Sequence, residues 1–396
     1  MKAFLTSCAL LTLATGVIAQ AAEPWPSYAV LLDGNVLPDT EVTMLSHSEQ
    51  LFPYNVVRRK GSVRPLVAAA TKMGSVQFES AGKQYDLYDY LATNRVAGLL
   101  VLKDHKIGFE DYELGTSPKT RWASFSMAKS VSSTLLAIAL KRGLIASLDD
   151  PVTRYVPALK GGAYDDVSVR NLLQMASGIR WIETYTDPNS DQRKVAALRL
   201  QKKPGVIFNY LKTLPRAAPP GSIWNYNTSE TIIVGAIVEA ATHEPLAKFL
   251  SDTIWSRLGM EQDATWWLES PGGMAYAGAG LGATLRDYGR FGLLVLDVGV
   301  IDGMRLVPEG WFHEAGSPHV IGGKKVNYGY LWWTMASTDP VHDDAFEAAG
   351  IFGQHIYINP RENVVNVVLS ARPKPGRAAR MLNDDDFFAA VVKALR

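Results

Sequence analysis

The sequence predicts an α+β protein with a mainly antiparallel sheet flanked by helices and an all-helical subdomain. Two strand-rich regions favour this fold, one at residues 96–112 and one at residues 328–370, and the chain between them is mostly helical in pattern. Strands from distant parts of a chain can share one sheet when the helices form a separate insertion. At 396 residues and 47% hydrophobic, the chain is long enough to bury a large core.

The first 21 residues have the pattern of a secretory signal peptide. Lys2 precedes an apolar stretch over residues 3–19, and Ala19-Gln20-Ala21 provides a small-x-small cleavage site. As a membrane anchor the stretch is too short and too polar. We therefore expect a periplasmic or secreted protein with no membrane insertion after signal cleavage. Cys8 is the one cysteine, so the mature chain is expected to lack disulfides, a thiol nucleophile and cysteine metal ligands.

The charge pattern argues against polyanionic partners. The formal net charge is +1, and basic residues occur only in short groups such as Arg58-Arg59-Lys60. We expect neither nucleic acid nor an anionic membrane as partner. A small-molecule substrate is expected, and the oligomeric state is left open.

Residues 22–91 are interpreted as an N-terminal wrap over the main body, with a short helical pattern near Pro65–Met73. Residues 92–144 and 276–396 are predicted to form the α/β part. Its first element is a hairpin over Val96–Tyr112 with a polar turn at residues 103–106. Its last elements are strands at Tyr328–Trp333, His355–Ile358 and Val364–Ser370 and a helix over Asp385–Leu395.

Residues 145–275 are predicted to form the helical subdomain. Helical patterns cover residues 167–178, 230–242 and 245–258, and residues 187–214 are helical in part. The glycine-rich stretch Ala277–Thr284 follows and opens a helix at Leu285. Its spacing matches no phosphate-binding motif, so tight packing beside a site is the better interpretation.

Ser126 begins an apolar helix that ends at Lys141-Arg142-Gly143. Lys129 lies three residues on, which puts its amine on the same helix face as the hydroxyl. The free N–H groups of a first turn stabilise an oxyanion, and a lysine kept neutral by burial can take a serine proton. S-x-x-K also arises by chance, as in Ser80–Lys83, so a helix-capping serine with a solvated lysine is the alternative.

Tyr226 is the second feature, five residues after Pro220-Gly221 and at the start of a helix. A phenol near a cationic lysine can ionise or pass a proton to a leaving group. On its own, Tyr226 would be better explained as a packed aromatic beside a turn.

In this order, Ser126, Lys129 and Tyr226 resemble the serine β-lactamase and penicillin-binding-protein superfamily on its class C side. Within it, the chain is most similar to the esterase and 6-aminohexanoate-dimer hydrolase branch. The resemblance runs from Val96 to Ser370 and includes the segments 172–178, 280–284 and 328–333. It implies a β-lactamase/transpeptidase-like fold, those three catalytic residues and no cofactor.

Departures from the family pattern narrow the expected activity. The tyrosine motif of lactamases is Y-[AS]-N, but here it is Tyr226-Asn227-Thr228. The third motif, K-T-G, aligns with Ala348-Ala349-Gly350, so the cationic clamp for a penicillin carboxylate is missing. β-Lactamase activity should therefore be weak or nil.

The resemblance also implies that the backbone N–H groups of Ser126 and Ile351 form an oxyanion hole. It places the loop 177–187 at the substrate. The predicted pocket residues are Tyr185, Asp187, Thr228 and Gly350, and Trp181 and Glu183 are weaker candidates.

These observations predict a serine hydrolase that cleaves an ester or linear amide bond through an acyl-enzyme on Ser126. The activity would be 6-aminohexanoate-dimer hydrolase-like or carboxylesterase-like. One alternative is a β-lactamase or D,D-peptidase, and another is a non-catalytic binding protein on the same fold. No G-x-S-x-G or H-E-x-x-H motif favours another hydrolase class or a metal site.

Overall fold

The computed structural model describes residues 26–376 and 381–396. The predicted signal peptide, residues 1–21, lies outside them. The α-helices are α1 (Tyr28–Leu32), α2 (Pro38–Ser46), α3 (Leu87–Thr93), α4 (Met127–Lys141), α5 (Val152–Tyr155), α6 (Val169–Leu173), α7 (Asp191–Arg199), α8 (Val206–Leu211), α9 (Thr228–Thr242), α10 (Leu246–Leu250), α11 (Leu285–Leu296), α12 (Trp311–Ala315) and α13 (Asp384–Ala394). The strands are β1 (Tyr54–Val57), β2 (Gln77–Ser80), β3 (Lys83–Asp86), β4 (Val96–Lys103), β5 (Lys106–Tyr112), β6 (Arg121–Ala123), β7 (Ala264–Trp267), β8 (Leu281–Thr284), β9 (Val300–Ile301), β10 (Met304–Arg305), β11 (His319–Ile321), β12 (Lys324–Val326), β13 (Trp333–Thr334), β14 (Phe346–Gly350), β15 (Gln354–Asn359) and β16 (Val364–Ser370).

The central sheet has six antiparallel strands in the order β13-β14-β15-β16-β4-β5. It joins strands from both ends of the chain, as the sequence pattern predicts. The β4–β5 hairpin turns at Asp104 and His105, which both have positive φ (50° and 64°). That geometry matches the right-handed twist of the two strands. The predicted hairpin and the predicted strand Val364–Ser370 are confirmed.

Both faces of the central sheet are covered. Leu100 and Leu102 of β4 join the core that contains α4 and α11, whereas Leu99 and Val101 join a second core beneath α13. Successive strand residues point to opposite faces, so one apolar strand serves both cores. The near-continuous apolar run of β4 follows from this position.

A second, four-stranded antiparallel sheet has the order β1-β7-β8-β6. β7 was not predicted, and it pairs with β1 of the N-terminal segment. β8 comes from the glycine-rich stretch. This stretch also contacts α4, since the Ser132 hydroxyl donates to Ala277 O at 2.9 Å. β6 leads directly into the turn that carries Ser126.

The helical patterns in the middle of the chain are confirmed, with two helices shorter than predicted. α9 covers the pattern predicted over residues 230–242, and α7 and α8 lie within residues 187–214. Of the helix predicted over residues 245–258, α10 forms only Leu246–Leu250, and a π-helical turn follows at Ser251–Trp255. The helix predicted over residues 167–178 ends at Leu173, because Met175 has a φ of 54°. A left-handed residue cannot continue a right-handed helix.

The strand predicted over Tyr328–Trp333 is wrong, since only Trp333–Thr334 forms a strand. Leu331 has a φ of 62°, and the hydroxyls of Ser130 and Ser133 donate to Leu331 O and Tyr330 O, each at 2.7 Å. Hydrogen bonds to α4 therefore replace those of a sheet.

The helix predicted near Pro65–Met73 is also wrong. This segment is extended along the edge of β5, where Ala69 N donates to Ile107 O at 2.8 Å and Met73 N donates to Gly108 O at 3.1 Å. The free edge of the sheet takes up the backbone groups that a helix would pair internally. The helices of the N-terminal region are instead α1, α2 and α3.

The fold class is confirmed as an antiparallel sheet flanked by helices with a helical middle region. The exact domain boundaries at residues 91, 144 and 275 stay a prediction. Within residues 26–376 and 381–396, no helix combines the length and the apolar character that a bilayer crossing requires.

Candidate active site

Ser126 lies at the turn between β6 and α4. The preceding residue, Phe125, has a φ of 43°, a left-handed conformation that costs roughly 1–2 kcal/mol for a residue with a side chain. Its ring is held edge-on to Phe352 (4.9 Å) and Trp267 (6.1 Å). The strained turn is thus fixed by packing and sets Ser126 at the N-terminus of the 15-residue helix α4.

Lys129 is buried in the first turn of α4, 1% exposed, with its Nζ atom 3.1 Å from Ser126 Oγ. The amine also donates to Thr228 Oγ1 at 3.0 Å and to Gly278 O at 2.8 Å. Burial lowers the pKa of Lys129 from its ordinary value of 10.5 to about 8, and the carboxylate of Glu183 opposes this shift. A large neutral fraction of this amine is therefore present near pH 8.

Tyr226 is half-buried beside the same amine. The Lys129 Nζ atom lies 5.2 Å from its ring centroid, and Trp333 stacks on the ring at 5.4 Å. Burial, followed by the Glu183 charge, raises the pKa of Tyr226, while hydrogen bonding to Ser126 lowers it. The side chain is consequently a protonated phenol at neutral pH.

Gly278 allows α9 and the Lys129 amine to approach the glycine-rich segment closely. A Cβ atom at Gly278 would stand 2.8 Å from Thr228 Cγ2 and 2.9 Å from Thr228 O. Any side chain here would displace the start of α9. The segment predicted to pack beside a site therefore supplies an acceptor for the amine.

The strand of the third motif, β14, lies against the Ser126 turn. A Cβ atom at Gly350 would stand 2.7 Å from Ser124 O, so the two backbones are in close contact. Among the described residues, none accepts a hydrogen bond from the backbone N–H of Ser126 or of Ile351. Both groups are free to bind an oxyanion, and the oxyanion hole stays a prediction.

The predicted pocket residues differ in their distance from the reactive groups and in their hydrogen-bond partners. Thr228 contacts Lys129, and the Tyr185 hydroxyl donates to Glu183 Oε1 at 3.0 Å. The Asp187 carboxylate instead accepts from Asn189 N at 2.9 Å within its own turn. Its contact with substrate stays a prediction.

Glu183, a weaker candidate in the sequence, lies at the centre of this site. Its two oxygens accept hydrogen bonds from Thr228 N (3.0 Å), Trp181 Nε1 (2.5 Å), the Tyr185 hydroxyl and the Thr228 hydroxyl. The one sequence signal for it is its position in the polar loop after Gly178. The chance motif Ser80–Lys83, by contrast, spans the turn between β2 and β3.

The sheet, the helical middle region and the serine at the start of a buried helix define the class of protein: the β-lactamase/transpeptidase-like fold of serine hydrolases. A family model described as beta-lactamase matches residues 61–390, and the chain belongs to this family. The family resemblance noted in the sequence is confirmed.

Two solved structures and one curated relative make the similarity more specific. The chain is 30% identical over 305 residues to the 6-aminohexanoate-dimer hydrolase of Paenarthrobacter ureafaciens, covering 73% of this chain and 76% of the relative. A Bacillus anthracis structure, provisionally named a 6-aminohexanoate-dimer hydrolase, matches with a TM-score of 0.75 and 22% identity over 89% of this chain and 92% of its own. EstCE1, a hydrolase with promiscuous acyltransferase activity, matches with a TM-score of 0.61 and 14% identity over 78% and 96%. At these identities the two structures show the fold alone.

Proposed function

We propose that this protein is an S-x-x-K serine hydrolase that cleaves an ester or linear amide bond through an acyl-enzyme on Ser126. One observation carries the proposal: the buried Lys129 amine lies 3.1 Å from Ser126 Oγ. The lowered pKa of Lys129, about 8, makes this amine available as a base at mildly alkaline pH. A helix-capping serine with a solvated lysine would have neither property.

In the first step, neutral Lys129 takes the hydroxyl proton of Ser126 while Oγ forms a bond to the substrate carbonyl carbon. The carbonyl oxygen becomes an oxyanion. The free N–H groups of Ser126 and Ile351 are the proposed donors to it, aided by the positive end of α4. Packing holds these two groups in place, because the neighbouring rings of Phe125 and Phe352 are in contact.

Collapse of this intermediate breaks the bond to the leaving alcohol or amine, which needs a proton. Tyr226 is the proposed donor, because the raised pKa of Tyr226 keeps its phenol protonated. The Lys129 ammonium, beside the ring, returns a proton to Tyr226. Water then attacks the acyl-enzyme and gives its proton to the same residues in reverse order.

The proposed substrate class follows from what surrounds the nucleophile. Ala348 and Ala349 occupy the places of the K-T-G lysine and threonine, so a carboxylate beside the scissile bond has no cationic clamp there. The relative's name, 6-aminohexanoate-dimer hydrolase, supports a linear amide among the substrates. Residues 1–21 support export, so we propose that the enzyme acts in the periplasm or outside the cell.

A substrate panel tests the proposal. Purified protein should hydrolyse short-chain p-nitrophenyl esters or 6-aminohexanoate oligomers, and Ser126→Ala should abolish that turnover. A chromogenic cephalosporin should be turned over slowly or not at all. Rapid cephalosporin turnover would instead favour a β-lactamase or D,D-peptidase, and no turnover of any substrate would favour a non-catalytic binding protein.

A further inference from the structure

A chain of hydrogen bonds continues from the proposed base away from Ser126. The Lys129 amine donates to Thr228 Oγ1 at 3.0 Å, and the Thr228 hydroxyl donates in turn to Glu183 Oε1. A hydroxyl has a single proton. Because Glu183 accepts that proton, an oxygen lone pair of Thr228 is left to face Lys129.

Glu183, at the far end of this series of hydrogen bonds, is held firmly in place. Each oxygen of Glu183 accepts two hydrogen bonds: Oε1 from the hydroxyls of Tyr185 and Thr228, and Oε2 from Trp181 Nε1 and Thr228 N. Thr228 N belongs to the first turn of α9, whose dipole stabilises a negative charge. The carboxylate is thus fixed in place at a helix start, and it fixes Thr228.

We propose that Glu183 is a positioning residue that, through Thr228, holds the Lys129 amine against Ser126 Oγ. This inference rests on the proposed function, in which Lys129 is the base. In this proposal Thr228, which stands where the lactamase motif has asparagine, links Glu183 to the Lys129 amine. Glu183 itself does not contact Ser126, so it acts through the amine and not on the substrate.

Electrostatics supports this arrangement. Burial lowers the pKa of Lys129 and Glu183 raises it, so the carboxylate limits how far burial shifts the amine. The titratable groups around Glu183, besides Lys129, are Tyr28, Tyr185, Tyr226, Tyr276, Tyr328 and Glu230. Burial raises the pKa of each of these six and so favours the uncharged form of each. Within the described part of the chain, Glu183 is the one charged group that shifts the pKa of Lys129.

The pH dependence of acylation by p-nitrophenyl acetate tests the proposal. The acylation rate should rise with pH as Lys129 loses its proton. In Glu183→Gln the negative charge is lost, the pKa of Lys129 falls further, and this rise should move to lower pH by about one unit or more. The plateau rate at high pH should also fall, because the amine is held less well.

Glu239→Gln is a matched control. Glu239 is a half-buried glutamate that accepts a backbone N–H bond from Leu246 at 2.9 Å, at the start of α10, and it does not act on Lys129. Its variant should keep the wild-type pH profile. The same profile in Glu183→Gln and Glu239→Gln would overturn the proposal while leaving the proposed function intact. No acylation of the wild-type protein at any pH would overturn both.

Thr228 provides a second measurement that does not depend on how Glu183→Gln folds. Thr228→Val keeps the side-chain shape and removes the hydroxyl, and its plateau rate should fall by about tenfold or more. Thr228→Ser should restore most of that loss, since it keeps the hydroxyl. Equal plateau rates in Thr228→Val and Thr228→Ser, with thermal unfolding unchanged, would contradict the proposed chain.

Discussion

Lys129 combines two opposing influences in one side chain. Its three hydrogen bonds, to Ser126, Thr228 and Gly278, are those of an ammonium, whereas its burial favours the neutral amine. Burial also outweighs the opposing charge of Glu183, because the pKa of Lys129 falls from 10.5 to about 8. The side chain can therefore be held in place as a cation and still act as a base at mildly alkaline pH.

Replacing this amine should remove most of the activity. In Lys129→Met the esterase rate should fall by at least about a hundredfold, because positioned base catalysis contributes on the order of 10² to 10⁴. Lys141→Met is the control, since Lys141 is exposed at the end of the same helix. Initial rates with p-nitrophenyl acetate measure both. A near-normal rate in Lys129→Met would move the base role to Tyr226.

Among single residues, the sequence predicted Ser126, Lys129 and Tyr226, but it did not predict that Glu183 holds Thr228 beside them. Spacing alone puts Lys129 on the helix face of Ser126, and the family resemblance adds Tyr226. Glu183 could not be assigned a role, because its contact with Thr228 joins residues 45 positions apart and depends on how the loop after Gly178 folds. No local pattern records such a contact.

The segment from Gly278 into β8 packs against both the start of α9 and the Lys129 amine. It lies against α9 so closely that a single methyl group would not fit, and its carbonyl group accepts a hydrogen bond from Lys129. The start of α9, which carries Thr228, is therefore coupled to the position of the amine.

Gly278→Ala should lower both the activity and the stability of the protein. The new methyl group would push on Thr228, costing about 1–3 kcal/mol of unfolding free energy by overpacking. The esterase rate should fall by about tenfold or more as the amine shifts. Denaturant unfolding and initial rates measure the two effects.

Gly74→Ala is the matched control for that variant. A Cβ atom at Gly74 would make an ordinary contact, 3.4 Å from Ala394 O, at a position without positive φ. Its rate should match the wild type. An unchanged rate in Gly278→Ala would show that the amine tolerates movement of α9.

The predictions of single elements succeeded where local pattern decided the structure. The β4–β5 hairpin and β16 follow from apolar runs separated by polar turns. The prediction for Tyr328–Trp333 failed because hydrogen bonds from Ser130 and Ser133, about 200 residues earlier, decide its conformation. Helices of four to six residues, such as α5, α6 and α8, are too short to give a clear period.

Over the whole molecule, the C-terminal helix α13 closes the sheet face opposite the α4–α11 core. Its Asp384 carboxylate pairs with His355 at 3.4 Å and with Arg372 at 2.5 Å, and the Tyr90 hydroxyl donates to it at 2.7 Å. His355 also pairs with Glu347 at 2.8 Å. Burial would lower the pKa of His355, but the two carboxylates outweigh it and raise this pKa to about 10.

Because of this network, the stability of the folded protein should fall as the pH becomes alkaline. The pKa of His355 is higher in the folded protein than its ordinary value of 6.5, so its contribution is complete below pH 6.5 and is lost as pH rises to about 10. The melting temperature should therefore fall between pH 7 and pH 10 more steeply in the wild type than in His355→Gln. Calorimetry between pH 7 and pH 10 measures both melting temperatures. If they fall in parallel for the wild type and His355→Gln, the role given to His355 is wrong.

The overall architecture was predictable because it depends on the order of long, strongly patterned segments. Strands near both ends of the chain and helices between them indicate the fold class, and the ordered motifs indicate the family. The path of the N-terminal region was not predictable, since β1 pairs with β7 some 200 residues later and Pro65–Met73 follows the edge of β5. Both are tertiary pairings between weakly patterned segments.

The most direct test of the account is covalent labelling of Ser126 in the folded protein. After incubation with a fluorophosphonate, intact mass should show one adduct, and peptide mapping should place it on Ser126. Ser126→Ala should show no adduct under the same conditions. If the folded wild-type protein gains no mass, or if the adduct persists in Ser126→Ala, Ser126 is not the nucleophile and the account is wrong.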